Sequence, residues 1–369
     1  MAVEQLEKKF SPLEELEAYK QNVAGTAPAT AQATALRASL APADTRRVEP
    51  FSTIRQGKST NALTKLRATE GKNATIDLVT GEATIKSGNL ILKIPNYAKL
   101  TGLKTSTYQL LDAITIALTE TGAKSPTVVL SLQDYMERRG LKDRKEARKQ
   151  ITADLEVLLK SSLSWEEKRK GGSIPYAGVN ITDSWIWADA KKTAIVYTFG
   201  QTFYNVLLGY PVMPYPAQLQ TLNSKRNPNS YYLLRRIAEH KNMNVGKANE
   251  DTIAVKTLLA VAPFIPSIEE VMAGNRNIAD RIISPFERDM DALSDTLSWS
   301  YCHSNGEPLT DAELQGFSYD FFTSLMIKTD WKSYPDQTAR LERKAERQEQ
   351  TKKKKRTTSK KKAPEKPTE

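Results

Sequence analysis

Apolar residues between positions 98 and 200 recur first at helical spacing and then in alternation. The segments are, in order, the helices 106–121, 131–139 and 143–162, with a short strand at 128–130 after the first, and then the strands 163–166, 184–188 and 193–199. Ser131 and Asp143 stand where N-caps are expected, and Gly140 separates the second helix from the third. A helix-turn-helix followed by a β-hairpin is the order of a winged helix.

The same order recurs in the second half of the chain. The segments are, in order, a helix at 231–241, a capping box at 267–270, a turn at 274–275, a long helical segment at 277–296 and strands at 297–302 and 320–327. Pro285 leaves two interpretations of the long segment open. Because Ser-Pro-Phe-Glu at 284–287 is itself a capping box with proline at the first helical position, the helix either continues through Pro285 or begins at Ser284.

Short stretches match between the halves at nearly equal spacing. The matched stretches are 131–136 with 267–272, Asp154 and Leu155 with Asp289 and Met290, and Leu163-Ser-Trp165 with Leu297-Ser-Trp299. The leading serine precedes the later leucine by 32 residues in one half and by 30 in the other. A weak repeat favours two similar units over two unrelated helical subdomains. The expected fold class is α+β, with two tandem winged-helix domains at 71–215 and 216–335. We expect each to have its own core, and the first to begin with a β-hairpin at 74–86.

The two ends of the chain differ from the middle in composition. Residues 1–70 hold an Ala-, Thr- and Pro-rich stretch and scattered charge, which predicts a flexible, partly helical region. Residues 336–369 form a charged, Lys-rich tail. Thirteen Lys or Arg and five Asp or Glu follow residue 339, so +8 of the chain's net +11 lies there. Such a tail is expected to be disordered and to reach for nucleic acid.

Catalytic and metal chemistry have few candidate residues. A single cysteine, Cys302, excludes an intrachain disulfide, and with only His240 and His303 beside it no structural zinc site is expected. Gly-Lys-Ser-Thr at 57–60 lacks the glycine that a phosphate-binding loop needs at position 52. We therefore expect no cofactor, no metal and no enzyme activity, although a tyrosine nucleophile stays open. Without an apolar membrane span or leader, the protein is expected in the cytoplasm.

DNA binding is the better-supported chemistry, because the third helix of a winged helix enters the major groove and the hairpin contacts the backbone. In the second half the polar face of the long helix carries Arg276, Asn277, Arg281, Ser284 and Arg288, together with Asp280 and Asp291, which would repel phosphate. In the first half the candidates are Arg144, Lys145, Arg148 and Lys149 on the third helix, Lys168, Arg169 and Lys170 in the following loop, and Lys191 and Lys192 at the hairpin tip. The alternative for these residues is an ordinary solvated face.

Over residues 90–330 the chain resembles the theta-type plasmid replication initiators, which bind iterons through two winged-helix domains. The resemblance depends on the tandem order and on YYLLRR at 231–236, IPSIEEVM at 265–272, FERDM at 286–290 and LSW at 297–299. It implies that the second domain reads repeated origin sites in double-stranded DNA and that the first contributes to a homodimer and to further DNA contact. It also implies recruitment of the host initiator and the replicative helicase. The alternative function is a winged-helix transcriptional regulator or partition adaptor.

Overall fold

The chain has a mixed α+β fold in a computed structural model. The described residues are 49–57, 60, 61, 63, 74–87, 90–95, 97, 103–169, 172–274, 277–313, 318–338, 341, 342 and 346. Residues 1–48 and most of the Lys-rich tail lie outside these ranges, and so do the predictions made for them. Among the described helices, none combines the length and the apolar character that crossing a membrane requires.

The elements follow one another along the chain with short connections. The strands are β1 (Phe51–Arg55), β2 (Ala74–Ile76), β3 (Ala83–Ser87), β4 (Leu90–Ile94), β5 (Thr127–Ser131), β6 (Ser162–Arg169), β7 (Gly172–Asn180), β8 (Thr182–Trp187), β9 (Ala194–Phe199), β10 (Val212–Pro216), β11 (Thr252–Ala254), β12 (Leu297–Cys302) and β13 (Met326–Trp331). The helices are α1 (Thr105–Glu120), α2 (Leu132–Arg139), α3 (Arg144–Lys160), α4 (Gln201–Leu208), α5 (Gln218–Thr221), α6 (Ser230–Asn244), α7 (Val255–Leu259), α8 (Ile268–Ala273), α9 (Ser284–Asp291) and α10 (Tyr319–Ser324).

Two three-stranded antiparallel sheets have the same strand order. In the first, β9 lies between β5 and β8, and in the second, β13 lies between β11 and β12. In each sheet, the strand that follows the first helix of that half (β5 or β11) pairs with the last strand of that half (β9 or β13), which is the central strand of the sheet. The first sheet occurs with the helices α1, α2 and α3, and the second with α6, α7, α8 and α9. An order of helix, strand, helices and strand pair is thus observed in both halves, and strand β11 and helix α7 of the second half were not predicted.

A further antiparallel sheet has five strands in the order β2-β3-β4-β6-β7. Its first three strands precede α1 in the sequence, and its last two lie between α3 and β8. It contains the predicted hairpin, because β2 pairs with β3. It also contains Trp165, whose ring stacks on that of Tyr176 with centroids 4.5 Å apart. Trp165 thus lies on a strand directly after the long helix α3, as the sequence match with Trp299 predicts, but its strand belongs to the five-stranded sheet, whereas that of Trp299 belongs to a three-stranded sheet. The hairpin β6–β7 is inserted between α3 and β8, so the strand that follows the helix joins another sheet.

The long helical segment of the second half continues through Pro285. Ala279–Ile283 is a π-helical turn in which the Ser284 N–H donates to the Ala279 carbonyl, and α9 follows without a break in helical backbone angles. Proline has no N–H to donate, and the wider turn accommodates this loss within a helix. Of the two interpretations left open above, continuation is the one observed, and the capping box expected at Ser284 does not form. The segment ends at Asp291, five residues earlier than predicted.

In each half, a buried carboxylate on the helix before the last strands accepts hydrogen bonds from the start of the first helix. Asp154 of α3 accepts hydrogen bonds from Ser106 Oγ at 3.1 Å and Thr107 Oγ1 at 2.6 Å, in the first turn of α1. Asp289 of α9 accepts from the backbone N–H of Asn229 at 2.9 Å, where α6 begins. Both aspartates are buried, at 2% and 0% exposure. The sequence match between Asp154 and Asp289 thus corresponds to a shared contact.

Two further segments differ from the sequence prediction. Phe51–Arg55 lies in the region expected to be flexible or partly helical, but it forms β1 and pairs with Val212–Pro216, about 160 residues later. In the second half, residues 320–324 were predicted as part of a strand. They form α10 instead, because Ser318 caps this helix. Phe322 of the helix is buried, and the strand begins at Met326.

The two halves share one hydrophobic core rather than having a core each. A buried polar cluster crosses their interface, where Asp112 of α1 forms an ion pair with Arg235 of α6 and accepts hydrogen bonds from Tyr215 Oη at 2.8 Å and Tyr231 Oη at 2.7 Å. Both charged side chains are 6% exposed. The Gln109 amide donates to the carbonyl of Leu219 at 2.8 Å, which joins α1 to the connection between the halves. The expectation of separate cores is therefore wrong.

Candidate nucleic-acid interface

The basic residues of α3 lie on its first turns, directly after the capping residue. The Asp143 side chain accepts hydrogen bonds from the backbone N–H groups of Lys145 and Glu146, which starts the helix as predicted. Lys145 and Lys149 are exposed and have no side-chain partner among the described residues. Arg144 is exposed too, and its guanidinium donates to Gln133 Oε1 of α2 at 2.8 Å. These residues give the start of α3 a positive, solvent-facing surface.

Arg148 joins this helix to the β8–β9 hairpin. Its Nη2 donates to the backbone carbonyl of Lys191 at 2.6 Å, in the hairpin turn. In the same turn Lys192 adopts a positive φ of 54°, and its ammonium group lies 5.8 Å from the centre of the Trp187 ring. Lys191 and Lys192 are both exposed. The structure therefore brings the predicted residues of α3 and of the hairpin tip together into one surface, which we call the α3–hairpin surface (Arg144, Lys145, Arg148, Lys149, Lys191 and Lys192).

The basic run after α3 is placed differently from the sequence prediction. Lys168 and Arg169 belong to strand β6 rather than to a loop, and Lys170 lies outside the described residues. Strands β6 and β7 belong to the five-stranded sheet, whereas the hairpin of the α3–hairpin surface belongs to the three-stranded sheet β5-β9-β8. Lys168 and Arg169 are thus on a different sheet from the hairpin that was expected to share their role.

In the second half, four predicted residues form one exposed stripe along the π-helical turn and α9. Asn277, Arg281, Ser284 and Arg288 are all exposed, and Arg276 lies outside the described residues. Their spacing of three and four residues keeps them on one helical face. Asn277 also has a local role, because its Oδ1 accepts a hydrogen bond from the Ala279 N–H at 2.9 Å. We call these four residues the α9 stripe.

Two acidic residues of α9, Glu287 and Asp291, contact strand β12. Tyr301 Oη donates to Glu287 Oε1 at 3.0 Å, and Trp299 Nε1 donates to Asp291 Oδ1 at 3.0 Å. Burial raises the pKa of the Glu287 carboxyl above its ordinary value, and burial next to Glu287 likewise raises the pKa of the Tyr301 hydroxyl. Asp291 is thereby bound to the sheet, whereas Asp280 is exposed next to Arg281.

Among the described residues, Arg288 is the member of the stripe that forms a side-chain ion pair. Its Nε and Nη2 atoms lie 3.1 and 3.0 Å from Asp289 Oδ1. The Arg288 side chain remains 53% exposed, whereas that of Asp289 is 0% exposed. Asp289 was not among the predicted site residues, although its match with Asp154 was the signal in the sequence that could have pointed to it.

The described residues hold no group of three or more His, Cys, Asp or Glu side chains that could bind a metal ion. What the arrangement presents instead is cationic and hydrogen-bonding. Arginine and lysine on an exposed helix next to a hairpin suit contact with phosphates and base edges. The fold and the two surfaces thus define an α+β protein with one exposed basic surface shared by a helix and a hairpin and a second one along a helix.

The comparisons with known proteins find one replication protein among the solved structures that this chain is similar to. No protein-family model matches the sequence, and no curated protein matches it. The WH1 domain of MSBI1.176, a replication protein isolated from a multiple sclerosis patient, is 15% identical over 34% of this chain and 90% of that one, with a TM-score of 0.24. Two crystal structures of domains 2 and 3 of RctB are 10% and 9% identical. They cover 72% and 71% of this chain and 98% and 91% of theirs, with TM-scores of 0.40 and 0.36.

TM-scores of 0.40 and below carry no argument about the function of this chain.

Proposed function

We propose that this chain is a DNA-binding replication initiator made of two tandem winged-helix domains, at 71–215 and 216–335. One observation carries the proposal. In both halves, a helix with arginine on its exposed face lies beside a three-stranded sheet of the same strand order. These two helix faces form the α9 stripe and, with the hairpin tip, the α3–hairpin surface. Two such surfaces on one chain suit a double-stranded site with two recognition segments.

The finer parts of the proposal follow from the resemblance in sequence. The DNA would be repeated origin sites, the second half would supply most of the specificity, and the first would contribute to a homodimer. The protein would recruit the host initiator and the replicative helicase, act in the cytoplasm on plasmid DNA, and carry out no chemistry itself. The predicted contacts are the α3–hairpin surface, the α9 stripe, Arg276, Lys168, Arg169 and Lys170.

Binding of the full-length protein to the DNA that flanks its coding region tests the proposal. We expect direct repeats of about 20 base pairs, or two helical turns, and tighter binding to them than to a scrambled duplex by at least about a thousandfold. The same DNA should support replication of an otherwise silent plasmid. Binding to a single palindrome beside a promoter, without replication, would favour a transcriptional regulator. A covalent protein–DNA adduct would show a tyrosine nucleophile.

A pair of variants of α3 tests the first-half surface. Lys145→Ala with Lys149→Ala removes two exposed charges from the first turns, and we expect weaker binding to repeat and scrambled DNA alike, with a log–log salt slope reduced by about 0.9 for each lost phosphate contact. Lys160→Ala is the matched control, because Lys160 is an exposed lysine at the other end of the same helix. Equal effects of both changes would remove the start of α3 from the interface.

A further inference from the structure

The Asp289 carboxylate contacts both an exposed arginine and the start of helix α6. Its Oδ1 accepts from Nε and Nη2 of Arg288, and its Oδ2 accepts from the backbone N–H of Asn229 at 2.9 Å and from Asn229 Nδ2 at 2.7 Å. Asn229 is held in turn, since its Oδ1 accepts from the Phe264 N–H at 2.9 Å. Arg288 is therefore tied to a fixed, fully buried carboxylate rather than to a mobile surface group.

This contact divides the guanidinium of Arg288 into two edges. A guanidinium carries five N–H donors in one plane, and the edge formed by Nε and Nη2 is bound to Asp289. Nη1 and the second N–H of Nη2 form the other edge and have no partner among the described residues. The side chain is 53% exposed, so this edge is accessible to a ligand. Two parallel N–H groups fit the O6 and N7 atoms of guanine in the major groove.

We propose that Asp289 is a positioning residue that orients Arg288 for bidentate recognition of a guanine. This inference rests on the proposed DNA-binding function and makes it more specific. A buried carboxylate limits the rotamers of Arg288 before DNA binds, so less side-chain entropy is lost on binding, and the geometry required for a guanine is already present. Phosphate makes no such demand on orientation, and Asp289 should therefore affect sequence preference more than non-specific binding.

The equivalent aspartate of the first half separates this role from a structural one. Asp154 holds the start of α1 as Asp289 holds the start of α6, but its side-chain partners are Ser106, Thr107 and Gln150. No arginine is hydrogen-bonded to it among the described residues. Asp154→Asn is thus a matched control for Asp289→Asn. In Asp289→Asn the amide oxygen still accepts from Asn229, whereas the amide nitrogen that replaces Oδ1 cannot accept from Arg288.

The experiment measures the affinity of full-length variants for a specific duplex, for a scrambled duplex, and for specific duplexes in which one guanine at a time is 7-deazaguanine, which lacks the N7 acceptor. With wild-type protein we expect one guanine whose replacement weakens binding. We expect Asp289→Asn to weaken specific binding by about tenfold, to leave binding to the scrambled duplex within about twofold, and to abolish the penalty at that guanine. Asp154→Asn should retain both the affinity and the penalty.

Several outcomes would overturn the inference. Equal losses for Asp289→Asn and Asp154→Asn would mean that both aspartates act only on the fold, and an unchanged 7-deazaguanine penalty in Asp289→Asn would mean that Asp289 does not orient the contact. If Asp289→Asn does not fold, Arg288→Lys is the second variant, because it keeps Asp289, Asn229 and the positive charge but removes the two parallel N–H groups of the guanidinium. It should likewise lose the affinity penalty at the 7-deazaguanine position. A wild-type penalty in Arg288→Lys also contradicts the inference. Failure of the proposed function looks different, because the wild-type protein would then show no sequence preference at all.

Discussion

At the residue scale, two of the buried aspartates of this protein bind the starts of helices. Asp154 and Asp289 lie on different helices, far apart in sequence. Each accepts hydrogen bonds from hydroxyl or backbone N–H groups at the start of another helix. Carboxylates are favourable at such positions because the first turn of a helix carries partial positive charge. Their burial nevertheless has an energetic cost, which differs with protonation.

The cost at Asp154 predicts a pH dependence of stability. Burial raises the pKa of the Asp154 carboxyl above its ordinary value, and hydrogen bonds from Thr107, Gln150 and Ser106 only partly offset this. Because the folded protein holds this proton more tightly than the unfolded chain, the contribution of Asp154 to the free energy of unfolding is largest below about pH 3.9, the ordinary pKa of aspartate. The contribution is lost as pH rises through the raised pKa.

Urea unfolding of wild type and Asp154→Asn between pH 4 and pH 8 tests this expectation. Relative to the wild type, the variant should become more stable as the pH rises, because it carries no buried charge. A difference in free energy of unfolding that does not change with pH would show that Asp154 titrates alike in both states.

At the element scale, the α3–hairpin surface depends on one side chain that joins two elements. The bond from Arg148 to the Lys191 carbonyl crosses 43 residues of sequence. Within the turn, the Lys192 N–H donates to the Asp189 carbonyl at 3.0 Å. Arg148 thus restrains the hairpin turn from outside, and Lys191 and Lys192 are restrained with it.

Arg148→Ala should therefore loosen the turn without unfolding the helix. A hydrogen bond from a charged donor is worth about 1.5–3 kcal/mol, so we expect amide exchange at Lys192 to rise by at least about tenfold. Lys149→Ala, which removes an exposed lysine beside it, is the control and should leave that exchange unchanged. If both variants exchange like the wild type, the turn holds its own conformation.

The Lys-rich tail is an element that should add affinity without specificity. Its charge is dense at residues 352–356 and 360–362, and these two runs lie outside the described residues. Deleting residues 340–369 should flatten the salt dependence of DNA binding by about 0.9 in log–log slope for each lost phosphate contact. The ratio of specific to scrambled affinity should stay constant. An unchanged slope would assign the tail to a protein partner.

At the scale of the whole molecule, buried polar groups hold the halves together. Asp112 and Arg235 lie on different halves and are both almost fully buried, and Tyr215 and Tyr231 share the same carboxylate oxygen. The short helix α5 lies in this junction, where Gln218 Nε2 donates to the carbonyl of Ala292 at 2.9 Å. This junction orients the α3–hairpin surface relative to the α9 stripe.

Arg235→Met should destabilise the whole protein rather than one half. Removing one member of a buried ion pair leaves the carboxylate of Asp112 uncompensated, at a cost of about 3–5 kcal/mol. Arg138→Met is the control, because Arg138 pairs with Glu120 and their side chains are 33% and 43% exposed. Adding Asp112→Asn should recover part of the loss, since no buried charge then remains. A loss below about 1 kcal/mol in urea unfolding, or separate transitions for the two halves, would contradict this coupling.

Local features of this protein could be predicted from its sequence alone. Ser131, Asp143 and Ser267 cap the helices they were expected to cap, and the leading hairpin lies where the alternation placed it. A cap and a short hairpin depend on hydrogen bonds between residues that are only a few positions apart, so the residues that decide them are adjacent in the sequence. The exposed face of the long helix could be predicted for the same reason, since helical spacing alone separates buried from exposed positions.

Tertiary structure decided the features that join distant segments. Pairing of Phe51–Arg55 with Val212–Pro216, insertion of the β6–β7 hairpin, and the ion pair of Asp112 with Arg235 all join residues that no local pattern relates. Arg288 could be proposed for DNA binding from its place on the helix, but its fixed orientation depends on Asn229 behind Asp289. Such contacts form only when packing brings the segments together, because a buried charge or an isolated strand is unstable until its partner is in place.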